Sequence, residues 1–280
     1  MIVVSFLWAI FMVVVTSKAE TTLVESVSIF LWNYLFAVPI GVFVYAIEFS
    51  IHKVLYRPVK PKSTKASGSS RNKTVLESQK QGLTEIHLGE IHNILELTRI
   101  DFGINEIHHI DLTPLAGSLK LTELILYYNR LEEINLSPLA GCTNLEYIDL
   151  AVNNLRTIDL TPLKSCKKID AVNLGGNETG QIDLTPLSAL SNLKILTIDG
   201  MKLKEVDLSP LENCKQLEFL KLNDNEMKTV DITPLFECKS LDNLEIDGIQ
   251  LLTTLDNPIE DWPKGIQKHK RKIRKIDAFV

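Results

Sequence analysis

Four cysteines, Cys142, Cys166, Cys214 and Cys238, stand at multiples of 24 residues from one another, and thiols at fixed intervals are raw material for metal sites and disulfides. Their context favours neither. No C-x-x-C pair is present, and Ser118 and Leu190 fill the same phase, as expected of small buried residues that pack rather than react. A second phase holds Asp111, Asn135, Asp159, Asp183, Asp207 and Asp231, which at first sight suggests calcium ligands or a row of general acids. A calcium site needs several oxygens converging on one point. One carboxylate per interval fits turn chemistry better, with the short side chain accepting backbone N–H bonds just ahead of a Thr-Pro or Ser-Pro step. His87, His92, His108 and His109 lie beside Glu85, Glu90 and Glu106, which permits a zinc reading but lacks fixed ligand spacing; solvated edge residues are the other reading. The turn Gly175 to Gly180 has no Lys to hold a phosphate, and Walker, H-E-x-x-H, G-x-S-x-G and kinase motifs are missing. Without a nucleophile, base and oxyanion site, the expectation is a protein that is no enzyme and takes no cofactor and no metal.

The elements that carry these columns declare themselves by period. Pro114, Pro138, Pro162, Pro186, Pro210 and Pro234 are each 24 residues apart, every one inside a Thr-Pro-Leu or Ser-Pro-Leu triplet. In step with them run Leu97, Leu121, Leu145, Ile169, Leu193, Leu217 and Leu241, with further apolar positions three and five residues on. The alternation of the last two puts apolar side chains on one side of a short strand, so stacked repeats predict a parallel sheet over a shared core. Thr or Ser before Pro predicts a helix N-cap and first-turn proline, closing each coil with a short helix or 3₁₀ segment. Asn105, Asn129, Asn153, Asn177 and Asn225 follow the strands, and their paired donor and acceptor predict a structural role on the bending backbone. Met201 and Ile249 replace the Asn and Thr179 an apolar residue, which predicts irregularity near residues 175 to 203 and at the carboxy end.

Leu145 to Leu155 matches the spacing L-x-x-L-x-L-x-x-N-x-L, and over about residues 83 to 256 the chain resembles the leucine-rich-repeat family. The resemblance implies an α/β solenoid, a horseshoe with a parallel β-sheet on the concave side and helical or 3₁₀ segments on the convex side. Residues 81–256 would form this domain, with 81–96 as an N-terminal cap and 257–280 as a basic cap or tail. The side chains between the core leucines should line the concave face: Arg99, Asp101, Glu123, Ile125, Tyr127, Tyr147, Asp149, Asn173, Ile195, Thr197, Phe219, Lys221, Glu245 and Asp247. Tyr127, Tyr128, Tyr147 and Ile125 would then make an exposed aromatic patch beside acidic groups, suited to a protein or peptide partner with some basic character.

Charge and hydropathy divide the rest. Residues 81–256 hold 28 Asp and Glu against 14 Lys and Arg, an acidic balance that argues against nucleic acid as the partner. Residues 1–52 read as a transmembrane region, with a shorter apolar stretch over 1–16 that would span, be cleaved or merely associate, and a spanning helix at about 24–48. Residues 53–80, with eight basic residues and only Glu77 acidic, read as a juxtamembrane linker; by the positive-inside rule it places the repeats in the cytoplasm. Lys264, Lys268, Lys270, Arg271, Lys272, Arg274 and Lys275 give the carboxy end a matching basic character, and both flanks suit contact with anionic lipid. Two other functions remain open at this stage: a structural membrane scaffold acting through those flanks, or an extracellular receptor or adhesion module if the topology is inverted.

Overall fold

The computed structural model describes residues 74–255 and 261–276. The segments 1–16 and 24–48 and the linker up to residue 73, which carry the membrane reading, lie outside the described residues. Among the described residues no helix is long and apolar enough to cross a membrane.

Thirteen short strands are described: β1 (Val75–Glu77), β2 (Glu85–Ile86), β3 (Arg99–Asp101), β4 (His109–Ile110), β5 (Glu123–Ile125), β6 (Tyr147–Asp149) and β7 (Ala171–Asn173), then β8 (Ile195–Thr197), β9 (Phe219–Lys221), β10 (Thr229–Asp231), β11 (Asn243–Glu245), β12 (Gln250–Thr253) and β13 (Ile273–Lys275). Eight of them form one parallel sheet in the order β1-β3-β5-β6-β7-β8-β9-β11. Each strand pairs with its neighbour at the 24-residue period, so Arg99, Glu123, Tyr147, Ala171, Ile195, Phe219 and Asn243 form one row across it. The central residue of a strand turns inward. Ile100, Leu124, Ile148, Val172, Leu196 and Leu220 are fully buried, joining Leu121, Leu145, Leu193 and the other columned leucines in one continuous core. No coil could bury this face alone, since each interior leucine is covered by the coils before and after it.

The return path of each coil is a 3₁₀ turn: Thr113–Leu115, Ser137–Gly141, Thr161–Ser165, Thr185–Ala189, Ser209–Asn213 and Thr233–Glu237. Here the expected capping role is corrected. Thr or Ser is the first residue of the segment and Pro the second, and the residue ahead is a Leu or Ile without a side-chain cap. The fastening comes from one residue further upstream. Asp111, Asn135, Asp159, Asp183, Asp207 and Asp231 each accept a hydrogen bond of 2.8–3.0 Å from the backbone N–H of that Thr or Ser. The Thr113, Thr161 and Thr185 side chains, and after them those N–H groups, hold the carboxyls of Asp111, Asp159 and Asp183 below the usual carboxylate range.

A corner after each strand imposes a less familiar demand. Lys80, Ile104, Tyr128, Val152, Gly176, Gly200, Asp224 and Gly248 occupy one phase, and all have φ between +55° and +70°. The left-handed conformation costs a β-branched residue such as Ile104 or Val152 roughly 1–2 kcal/mol. It is held by the cross-coil ladder, in which the Val152 N–H donates to the Gly175 carbonyl at 2.8 Å.

The two ends differ. β1 lies inside the segment read as linker, so the sheet begins before residue 81. At the other end β10, β12 and β13 form a second parallel sheet whose offsets shorten to 21 and 22 residues. A short helix α1 (Lys264–Gln267) then seals the main sheet beside β11: the Gly265 N–H donates to the Leu241 carbonyl at 2.8 Å, and Ile266 is fully buried. A side chain at Gly265 would meet the Leu241 carbonyl oxygen and the Leu244 nitrogen at 3.1 Å, so any larger residue would push this close approach apart by a few tenths of an ångström. Phe236 and Trp262 lock edge to face, centroids 5.2 Å apart.

Candidate binding face

The residues flanking each buried strand centre project from the opposite face of the sheet, the face expected to be concave. Side chains there organise into three groups. At the amino end Arg99 reaches three carboxylates, with Nε 3.0 Å from Glu77, Nη2 2.6 Å from Asp101 and Nη1 on Glu123. Asp101 is completely buried and also accepts bonds from Gln79 Nε2 (2.6 Å) and the Gly103 N–H (3.0 Å). Its charge is therefore fully engaged.

The second group sits mid-sheet. Ile125, Tyr147 and Ala171 form a small cluster of their own, flanked by half-buried Tyr127 and Ile195. This corrects the expected exposed aromatic patch: Tyr147 is 6% and Ile125 4% exposed. Alternation does send both outward, but the small Ala171 opposite Tyr147 in the next coil lets its ring lie down across the face and against Ile125, so both are covered. The Tyr147 hydroxyl donates to Asp149 Oδ2 at 2.5 Å, and the Ala151 N–H donates to Oδ1 at 3.1 Å. Burial pushes the Asp149 carboxyl up to about 6 despite these bonds, and pushes the Tyr147 phenol upward too. Tyr127 lies over Gly103, where a Cβ would fall 2.4 Å from its ring; burial and then the charges of Asp101 and Asp149 raise its phenol to about 12. Thr197 donates to the Asn173 side chain. Tyr128 stands apart from the strand row, at the left-handed corner.

The third group pairs Lys221 with Asp199 at 3.1 Å and Glu245 at 4.0 Å, beside half-buried Phe219. Glu77, Gln79 and Asp199 are members the sequence reading passed over. Leu76, exactly in phase with Ile100 and Leu124, was the signal for β1 and hence for Glu77.

Beneath this face the asparagines hold the coils together. Asn153 donates to the Leu126 and Leu150 carbonyls, both at 3.0 Å, and accepts from the Leu131 N–H at 3.1 Å. Asn105, Asn129, Asn177 and Asn225 repeat the pattern, tying the end of one strand to the coil before it. Asn177 is also the first residue of a glycosylation triplet, but at 1% exposure its amide is unreachable. At position 201 buried Met offers neither donor nor acceptor, and one coil away the hydroxyl of buried Thr179 is left without a partner.

Other candidate chemistry resolves into structure. The cysteines are buried, and the thiols of Cys142, Cys166, Cys214 and Cys238 donate at 3.2–3.5 Å to the carbonyls of Leu115, Leu139, Leu187 and Leu211. Burial raises all four, Cys166 and Cys214 to about 11 and Cys238 to about 12, which leaves no reactive thiolate near neutrality. His87, His92, His108 and His109 are exposed, with His87 3.8 Å from Glu85. Among the described residues no three His, Cys, Asp or Glu side chains gather where they could hold a metal ion.

Comparison with known proteins agrees with this geometry. The profile of the leucine rich repeat family matches residues 119–178. Internalin C2 of Listeria monocytogenes is similar in structure, with 25% identity, a TM-score of 0.55, and coverage of 73% of this chain and 80% of that one. A leucine-rich-repeat protein of Leptospira interrogans gives 23% identity and a TM-score of 0.52 over 65% of this chain and 43% of that one. A comparison with curated proteins gives no match.

Proposed function

We propose that this leucine-rich-repeat domain is a non-catalytic protein-binding module that works with the concave face of its sheet, on the cytoplasmic side of a membrane to which the N-terminal residues tie it. One observation carries the binding role. An unbroken row of eight parallel strands fixes its outward side chains by ladder, ion pair and packing, so the face meets a partner already ordered and loses little side-chain freedom on contact. Leucine-rich-repeat folds reuse such faces for protein recognition, and nothing on this one gathers the groups of an acyl or phosphoryl transfer site. The test is a photo-crosslinking residue at Phe219 in the full-length chain, compared with one at exposed Glu212 on the 3₁₀ side. Adducts with a cellular protein at Phe219 alone are expected; adducts only at Glu212 would move the function to the other side.

The membrane reading rests on the apolar stretches within residues 1–52 and the basic residues after them. Because the native cysteines are buried, a single Lys120→Cys makes a clean topology probe at an exposed site. Protection from an impermeant thiol reagent added to intact cells is expected, and labelling would favour the extracellular adhesion reading. A second reading, contact with anionic lipid, is favoured by the folded basic end. Lys264, Lys270, Arg271 and Arg274 all fall within α1 and the 3₁₀ turn and strand that follow it.

A further inference from the structure

The charges on the binding face are not equally available to a visitor. Among the described strand residues of the main sheet the cations are Arg99 and Lys221, each 17% exposed and each already spanned by carboxylates from two or more coils. The carboxylates around them stay open: Glu77 is 56%, Glu123 33% and Glu245 42% exposed at the side chain, and Asp247 is exposed beyond Glu245. Both ends of the face therefore offer negative charge in excess of what the protein itself neutralises. Between them the half-buried Tyr127, Ile195 and Phe219 make an apolar middle, underlain by the Tyr147 cluster.

Resting on the protein-binding reading above, we infer that the face takes an extended protein segment running across the strands, apolar at its centre, with one Lys or Arg at each end. From the β5 row at Glu123 to the β11 row at Glu245 there are five strand spacings, about 24 Å at roughly 4.8 Å each. An extended chain advances about 3.3 Å per residue, so the two cations belong about seven residues apart. An acidic segment is disfavoured, because Arg99 and Lys221 would have to leave their carboxylates to meet it.

The test measures binding of the full-length chain to labelled Thr/Val-alternating peptides carrying two lysines at separations from three to eight residues, by fluorescence anisotropy. Affinity should peak near seven, about tenfold above a separation of three. Glu245→Gln combined with Asp247→Asn should reduce that peak to the level of a single-lysine peptide while the unfolding midpoint is retained. Affinity independent of lysine spacing, or equal binding by peptides with Glu in place of Lys, overturns the inference even if the double variant misfolds. If the Phe219 crosslinker captures a cellular protein while no di-lysine peptide binds, the inference falls and the protein-binding reading stands; if Phe219 captures nothing, both fall.

Discussion

The Tyr147 hydroxyl lies 2.5 Å from Oδ2 of Asp149, two residues along one strand of an outward face, yet both side chains are withdrawn from solvent. A phenol and a carboxylate that sequence alone offers to a partner thus serve first to hold the face in shape. Replacing Tyr147 by Ala would open the Ile125 and Ala171 cluster and cost on the order of 3 kcal/mol, so it cannot report on binding alone.

Asp149 makes stability depend on pH. Its folded value of about 6 is above its unfolded 3.8, so the folded state prefers the protonated acid. The stabilisation is complete below about 3.8 and is lost as pH rises through about 6, on the order of 3 kcal/mol in all. Urea unfolding of the protein and of Asp149→Asn at pH 4 and pH 7 should show the native chain losing that much relative to the variant. A difference that does not change with pH would mean the carboxylate is hydrated.

Asn153→Ala should destabilise by roughly 3 kcal/mol, because it strands the Leu126 and Leu150 carbonyls and the Leu131 N–H in the interior. Asn135→Ala, which removes one exposed turn bond, should cost under about 1 kcal/mol. Chemical denaturation of the two variants side by side checks the ranking.

Gly248→Ala should cost about 1 kcal/mol, the left-handed penalty alone, since nothing lies within 4 Å of the added Cβ. Gly176→Ala should cost more, as its Cβ meets Val152 Cγ2 at 3.3 Å in a corner where both residues have positive φ. Thermal melts that place the two variants in the opposite order would contradict this picture of the corner.

The four thiols should resist a soluble disulfide reagent in the native state and react together once denaturant unfolds the coils. Stopped-flow absorbance would follow this, and a fast native phase from any one of them would show a local opening on the 3₁₀ side.

Much of this molecule can be read from its residues, because a solenoid repeats its own evidence. The prolines, the leucines, the asparagines and the Asp-x-Thr-Pro turns each recur at 24, and the Asn153 ladder and the Asp159 bond to Thr161 follow from those types at that spacing. The sequence gives no sign at positions where periodicity is silent. Lys73 stands where Leu97 would predict a leucine, which hid β1 although Leu76 kept phase. Exposure on the outward face depends on whom each side chain meets in the next coil: small Ala171 lets Tyr147 lie down, and Gly103 lets Tyr127 do so. No single-strand pattern records that.

From β3 to β11 the cross-coil pattern repeats with one period of 24 residues, and that has a consequence for how such a chain can change length. If one 24-residue unit between Cys142 and Cys166 were deleted or copied, each Asn and each strand N–H would still meet an equivalent partner across the join, while each Asp turn bond stays within its own coil. The backbone is thus indifferent to the number of units, and duplication errors in the gene would be tolerated at its interior. Individuality survives in the pairs that break the repetition, Arg99 with Glu123, Tyr147 with Asp149 and Lys221 with Asp199 among them, so such residues are where one length is told from another.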